Sequence, residues 1–165
     1  MQITTRPGRK TDVAAIRDIY NHYVRETIIT FDLHEVSLEN RQKWFAQFAP
    51  QGRHQIFVAQ ADTRLIGFAY SAQFRAKAAY DTSIEVTVYT DAAGGRRGVG
   101  MALYTALFAA LKDEDIHRAY AVITKPNEAS ERFHARFGFA EIGGLSDVGR
   151  KFGSYHTTGY WEKPM

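Results

Sequence analysis

The stretch Asp91-Ala-Ala-Gly-Gly-Arg-Arg-Gly-Val-Gly100 decides how the rest of the chain is read. A strand-like run, Thr82 to Thr90, leads into it, and a helix-like run, Val99 to Lys112, leads out. A strand, a glycine- and arginine-rich turn and a helix, in that order, suit a bound phosphate. Gly98 and Gly100 let the backbone approach a ligand with no Cβ in the way. The free N–H groups of a helix's first turn point at such a ligand, and the helix dipole favours its negative charge. Arg96 and Arg97 add formal positive charge at the same place. The segment reads as a pyrophosphate cradle.

The surrounding chain has 165 residues, the size of one ordinary domain, and 1–165 is read as a single unit. Its 45% hydrophobic and 24% charged content are those of a soluble globular protein. Aromatic residues make up 13%, which favours a sizeable core or an aromatic-lined pocket. The absence of cysteine excludes disulfides, thiolate metal sites and a cysteine nucleophile. No apolar run approaches the length of a membrane span, and the start, Met1 to Arg6, reads as a first strand. A cytoplasmic protein with no membrane partner is expected. The net charge of +3 is spread without a Lys/Arg block, so no nucleic-acid partner is expected, and a polyanionic small molecule accounts for the balance.

Outward from the cradle the pattern alternates between strands and helices. Ile3 to Arg6 is a short strand closed by Pro7-Gly8. Thr11 or Asp12 caps a helix whose apolar stripe is Val13, Ile16, Ile19, Tyr20 and Val24. Ser37 caps a second helix carrying Leu38, Trp44, Phe45 and Phe48. Gln55 to Gln60 and Leu65 to Phe74 form an antiparallel hairpin. After the cradle helix come a strand, Ala119 to Thr124, stopped by Pro126, and a helix, Glu128 to Phe137, capped by Asn127 and ended by Gly138. Phe139 to Ile142 and Tyr155 to Glu162 read as two closing strands, with Gly143, Gly144, Gly149 and Gly153 marking a mobile stretch between them. The order β-α-α-β-β-β-α-β-α-β-β indicates an α+β fold, a mixed and mostly antiparallel sheet with helices on both faces.

Two common phosphate ligands fail on the residues. A P-loop needs Lys and Ser/Thr after its last glycine, and Met101-Ala102 stand there. A dinucleotide turn needs a third glycine, and position 103 is Leu. G-x-G alone also suits a tight strand-to-helix turn with no ligand.

The segment Val86 to Leu103 resembles the acetyl-CoA motif of the GNAT superfamily of N-acetyltransferases, Q/R-x-x-G-x-G/A after a strand. Gly98 and Gly100 match its glycines, while Gly95 stands where the family has Gln or Arg. Because the family's contacts run largely through backbone N–H groups, the cradle is expected to survive that change. Asn127 to Phe139 is similar to the family's N-x-x-A-x-x-F-Y-x-x-x-G-F helix, with His134 at the Tyr position. Ile19 to Tyr23, Thr30 to Asp32, Tyr80, Ile84 to Tyr89, Lys151 to Gly153 and Tyr160-Trp161 resemble the phosphinothricin and methionine-sulfoximine acetyltransferase branch. The branch's Asp in the last loop is missing from Ser154 to Thr158.

The resemblance implies acetyl transfer from acetyl-CoA, as cosubstrate and with no metal, to the α-amino group of a small amino acid or analogue. It implies CoA contacts at Val88, Tyr89 and Thr90 along the pantetheine, at Arg96, Arg97, Gly98, Val99, Gly100 and Met101 around the pyrophosphate, and at Asn127. It implies a bulge that splays the strand at Val88 and frees a backbone N–H for the thioester oxygen. It also suggests a homodimer with shared pocket walls. Alternatives are a GNAT-fold module that binds CoA without efficient catalysis, and an enzyme acting on a protein N-terminus, a polyamine or an aminoglycoside.

The residues supply the chemistry that amine acetylation needs. Strand alternation puts Glu85 on the face opposite Val86 and Val88, where desolvation would raise its pKa and make it a better base, acting through water. The resemblance puts the branch's glutamate at the same position. His134 is the candidate acid for the departing thiolate. Arg75 and Lys77 precede the Glu85 strand and suit a substrate carboxylate, Arg75 bidentately. Phe31 and Tyr80 are candidate pocket walls. His22, His34, His54, His117 and His156 show no metal-ligand spacing.

Overall fold

The computed structural model describes residues 2–94 and 98–165. Its strands are β1 (Ile3–Pro7), β2 (Ile56–Ala61), β3 (Arg64–Gln73), β4 (Ser83–Thr90), β5 (Arg118–Lys125), β6 (Ala140–Lys151) and β7 (Ser154–Pro164). Its helices are α1 (Val13–Glu26), α2 (Leu38–Phe45), α3 (Val99–Leu111) and α4 (Glu128–Arg136). The strands form one sheet in the order β1-β2-β3-β4-β5-β7-β6. Among the described residues only β4 and β5 pair in parallel, and every other neighbouring pair is antiparallel.

Two apolar clusters sandwich this sheet. On one face α3 lays Leu103, Tyr104, Leu107 and Leu111 against Ile84, Val86 and Ala119, with Phe133 and Phe137 of α4 beside them. On the other, α1 and α2 bring Val13, Ile16, Ile19 and Phe45 onto Val58, Phe68 and Tyr89. β4 therefore has Ile84 and Val86 on the α3 side and Tyr89 on the α1 side, the alternation its sequence dictates.

Helix starts follow the local chemistry. The Ser37 side chain accepts the Asn40 N–H and the Asn127 side chain accepts the Ser130 N–H. Asp12 takes another role: its carboxylate accepts the Arg9 N–H at 2.7 Å and two bonds from Arg6. The loop after α1 is pinned by Asn21, which donates to Val36 O at 3.0 Å and accepts the Val36 N–H at 2.9 Å.

The C-terminal hairpin departs from the expected mobile glycine stretch. Gly143, Gly144 and Gly149 lie inside β6, opposite Tyr160, Gly159 and His156 of β7. The register shifts between Glu141 and Gly143 and between Leu145 and Gly149. Glycines carry no side-chain alternation, so a bulged strand built on them has no period to read. Among the described residues, no helix is long and apolar enough to cross a membrane.

Candidate active site

The site is built on a divergence of two strands. β4 and β5 pair only at Ser83–Arg118, Ile84–Ala119 and Glu85–Tyr120, although both strands run on for several residues. On its other edge β4 stays paired with β3 as far as Thr90, in an unbroken register. The splay expected at Val88 is thus present, and no bulge on the β3 side produces it. Asp91 N–H donates to Ile66 O at 2.8 Å, toward β3. Alternation then turns the N–H groups of Val88 and Thr90 the other way, into the gap. The Thr90 carbonyl accepts the Tyr23 O–H at 2.6 Å from that side.

The gap is a narrow cleft between Val86–Tyr89 and Ala121–Thr124, with Asn127 and, from α4, Ser130 and His134 along it. A wider cleft runs past Gly98, Val99 and Gly100 at the start of α3 to Ser130 and Phe133. The two share Ile29, Val88, Asn127 and Ser130, so they form one groove from the split strands to a helix N-terminus.

Gly98, Val99 and Gly100 of the cradle line this groove. Gly98 is the residue before α3 and sits at φ +94, a left-handed conformation that glycine adopts freely. Gly100 faces α4, where a Cβ would come within 3.1 Å of the Phe133 ring. Val99 is buried in the core, leaving its backbone to the groove, and Met101 is exposed. Arg96 and Arg97, with Gly95, lie outside the described residues. Asn127 lines both clefts while its Oδ1 caps α4.

Glu85 is half-buried at the last paired position before the split. Burial pushes its pKa above the ordinary carboxylate value, with no other cause acting on it. Among the described residues it has no ion pair within 4.0 Å. A carboxyl desolvated in this way, with no cation to neutralise it, has the environment of a general base.

His134 is buried between three groups. Its Nδ1 lies 2.8 Å from Ser130 O and 3.3 Å from Ser130 Oγ, and its Nε2 lies 3.0 Å from the Tyr104 hydroxyl. A carbonyl oxygen only accepts, so Nδ1 carries the proton and Nε2 accepts from Tyr104. Burial lowers the imidazole pKa, with the Ser130 bond opposing. The ring is therefore neutral at neutral pH, and its imidazolium is a stronger acid than an ordinary histidine's.

The other candidates fall into two groups. Arg75 is exposed, with its guanidinium 5.2 Å from the Phe74 ring and 5.7 Å from the Tyr80 ring. Phe74 stacks at 4.3 Å on Tyr120, the strand partner of Glu85, which brings the Arg75 loop to the Glu85 end of β4. Lys77, also exposed, precedes the short turn Ala78–Tyr80 of that loop. Phe31 lies elsewhere, half-buried under the β6–β7 hairpin, with its ring 6.3 Å from that of His156. Ile29, Tyr23 and Ser130 border the groove but were not legible as site residues, because an isolated Ile, Tyr or Ser carries no pattern. Ser130 stands one helical turn before His134, and that spacing was the available signal.

Comparison with known proteins agrees with this geometry. The acetyltransferase (GNAT) domain family matches residues 6–158. A phosphinothricin N-acetyltransferase of Streptomyces coelicolor is 47% identical, covering 99% of this chain and 97% of the relative. An L-methionine sulfoximine/L-methionine sulfone acetyltransferase of Pseudomonas aeruginosa is 30% identical, covering 94% of this chain and 90% of the relative. The solved structure of a GNAT superfamily phosphinothricin acetyltransferase from Sinorhizobium meliloti, in complex with AcCoA, superposes with a TM-score of 0.93 at 25% identity. It covers 100% of this chain and 89% of that one. With the split β4–β5 pair, the glycine-started α3 and a family match over most of its length, the chain belongs to the GNAT family of acetyltransferases.

Proposed function

We propose that this chain, acting as one domain over 1–165, transfers the acetyl group of acetyl-CoA to the α-amino group of a small amino acid or analogue. Acceptors of the phosphinothricin and methionine sulfone or sulfoximine type fit best, since relatives carrying those names cover nearly the whole chain. The observation that carries the reading is the split between β4 and β5, which turns the Val88 N–H into a groove continuous with the start of α3.

In this reading Glu85 removes a proton from the acceptor's ammonium through water, and the freed amine attacks the thioester carbonyl. The Val88 N–H donates to the developing oxyanion, a fixed dipole that needs no reorganisation. The carbon–sulfur bond breaks and the amide forms as the nitrogen gives up its second proton, which the neutral His134 ring takes up and passes to the CoA sulfur. Val88, Tyr89 and Thr90 follow the pantetheine, and Asn127 holds the arm from α4. The segment Arg96 to Met101 receives the pyrophosphate, with the first turn of α3 supplying backbone N–H groups. Arg75, aided by Lys77, binds the acceptor carboxylate, with Tyr80 and Phe31 as walls.

Free-thiol release over a panel of phosphinothricin, methionine sulfone, methionine sulfoximine, ordinary amino acids, spermidine and kanamycin tests the reading. Turnover confined to the amino-acid compounds supports it. Tight CoA binding with no turnover of any panel member would instead favour a non-catalytic module.

The proposal includes a cytoplasmic homodimer. β6 is an edge strand whose Ile142, Leu145 and Val148 are half exposed, next to Phe152 and Tyr155 on the same hairpin. An edge of this length and apolarity is the kind that proteins cover. Light scattering of the parent and of Leu145→Asp tests this: a dimer that falls to monomer supports it, and a monomeric parent refutes it.

A further inference from the structure

The α1–α2 side of the acceptor region contains two buried cations that the mechanism does not use. Arg41 is 5% exposed, clamped between the Tyr20 ring at 4.1 Å and the Trp44 ring at 4.4 Å. Its Nε is buried with no hydrogen-bond partner among the described residues. Lys151 is 3% exposed and donates to Thr30 O at 2.8 Å. Among the described residues, neither has a carboxylate within 4.0 Å.

One acid lies between them. Asp32 is exposed and accepts the Tyr20 O–H at 2.6 Å, and the same hydroxyl lies 2.8 Å from Thr30 Oγ1. Asp32 acts on both cations only at longer range, and burial lowers the pKa of each. Two positive groups therefore face one carboxylate that water already screens. Burying an unpaired charge is costly, and removing a cation to bulk solvent is the easy escape for a side chain as long as Lys or Arg. That both stay inside indicates a region built for one more negative charge.

The segment Ile29–Asp32 carries that region to the groove. Ile29 lines both clefts beside Val88, Thr30 is the residue that Lys151 holds, and Tyr20 packs edge-on to Tyr89 at 5.2 Å. The excess positive charge thus borders the cleft through the Ile29–Asp32 segment, on the α1 face of β4 that carries Tyr89 and, by alternation, Glu85.

We propose that Lys151, with Arg41 behind it, is a specificity determinant that selects acceptors carrying a second, anionic group at the end of the side chain. This inference rests on the amino-acid reading above. It names the chemistry of the tail, a phosphinate or carboxylate, which that reading leaves open. Lys151 and Arg41 act on the tail through charge, and the reacting amine lies outside their reach.

Phosphinothricin and methionine sulfone separate the charge from everything else, because their side chains have nearly the same shape and only the phosphinate is ionised. The experiment measures kcat/KM for both by thiol release, with the parent, Lys151→Met and Lys151→Arg. A charge-assisted contact contributes on the order of tenfold or more, so the parent should favour phosphinothricin by about that factor. Lys151→Met should erase the preference, lowering kcat/KM for phosphinothricin about tenfold more than for methionine sulfone, and Lys151→Arg should restore it. Equal loss for both acceptors, with the ratio intact, would reduce Lys151 to a strut for the Thr30 loop and overturn the inference. If Lys151→Met does not fold, the parent still decides: a preference for methionine sulfone overturns the inference, and a preference for phosphinothricin kept in Lys151→Arg supports it. Thiol release with neither compound overturns the amino-acid reading itself, and the inference falls with it.

Discussion

Gly149→Ala gives a stringent test of how the hairpin shapes the acceptor wall. An ideal Cβ at Gly149 would lie 2.2 Å from Cε2 of Phe31, 2.5 Å from Cδ2 and 2.6 Å from Cζ. Three ring atoms are involved, so no single torsion of Phe31 relieves the clash. To regain ordinary contact at 3.4 Å, the ring edge must retreat by about 1.2 Å. The neighbours limit that retreat, because the hairpin is held by the Lys151–Thr30 bond and the loop by the two Asn21–Val36 bonds. Overpacking of this kind costs about 1–3 kcal/mol, and the displacement is of the size that spoils a pocket wall. The variant should therefore lose stability by that amount in a urea melt and raise the acceptor KM about tenfold. The KM for acetyl-CoA should stay unchanged, because its groove runs along α3 and α4. In a Phe31→Ala background the same substitution should cost almost nothing, a non-additivity expected of groups in contact. An acceptor KM within twofold of the parent, or equal costs in both backgrounds, would refute the reasoning.

Two pH-dependent effects follow from the buried titrating groups. The folded state holds the Glu85 pKa above its ordinary 4.5, so this group favours folding most below that value and less as pH rises through the folded pKa. Glu85→Gln should therefore melt higher than the parent at about pH 7 and lose that advantage near pH 4; equal melting temperatures at both would contradict the desolvation of Glu85. His134 has its pKa lowered from 6.5, so the neutral ring is the form the fold accepts. Stability should fall as pH drops below 6.5 toward the folded pKa, and His134→Gln should flatten that part of the melting profile. A parent profile flat between about pH 5 and 7 would contradict it.

Much of the fold was legible because its signals are local. The β4 alternation of Ile84, Val86 and Val88 against Glu85 and Tyr89 put the acid on the face where the structure has it. Ser37, Asn127 and Gly138 marked helix ends by side-chain or backbone chemistry that needs no tertiary context. The strand reading of β6 stopped at Ile142, because the glycines beyond it have no side chains to alternate. The split between β4 and β5 is a relation between two strands, and neither strand's sequence records where pairing stops. Arg41 lies in the run Glu39-Asn-Arg-Gln-Lys43, which reads as a solvated helix face, and only folding reveals that its guanidinium is shut between Tyr20 and Trp44. Lys151 was legible only as part of a family-like Lys-Phe-Gly turn. Its bond to Thr30 O spans 121 positions, beyond any local pattern.

The proposed mechanism turns on Glu85, desolvated where the two strands part, removing the proton that makes the acceptor's amine a nucleophile. The most direct measurement is kcat/KM for the acceptor as a function of pH, by thiol release, in the parent and in Glu85→Gln. The parent should show an ascending limb set above the ordinary 4.5 of a glutamate. The variant should lose about a hundredfold or more at neutral pH. A variant rate within twofold of the parent across neutral pH would remove Glu85 as the base.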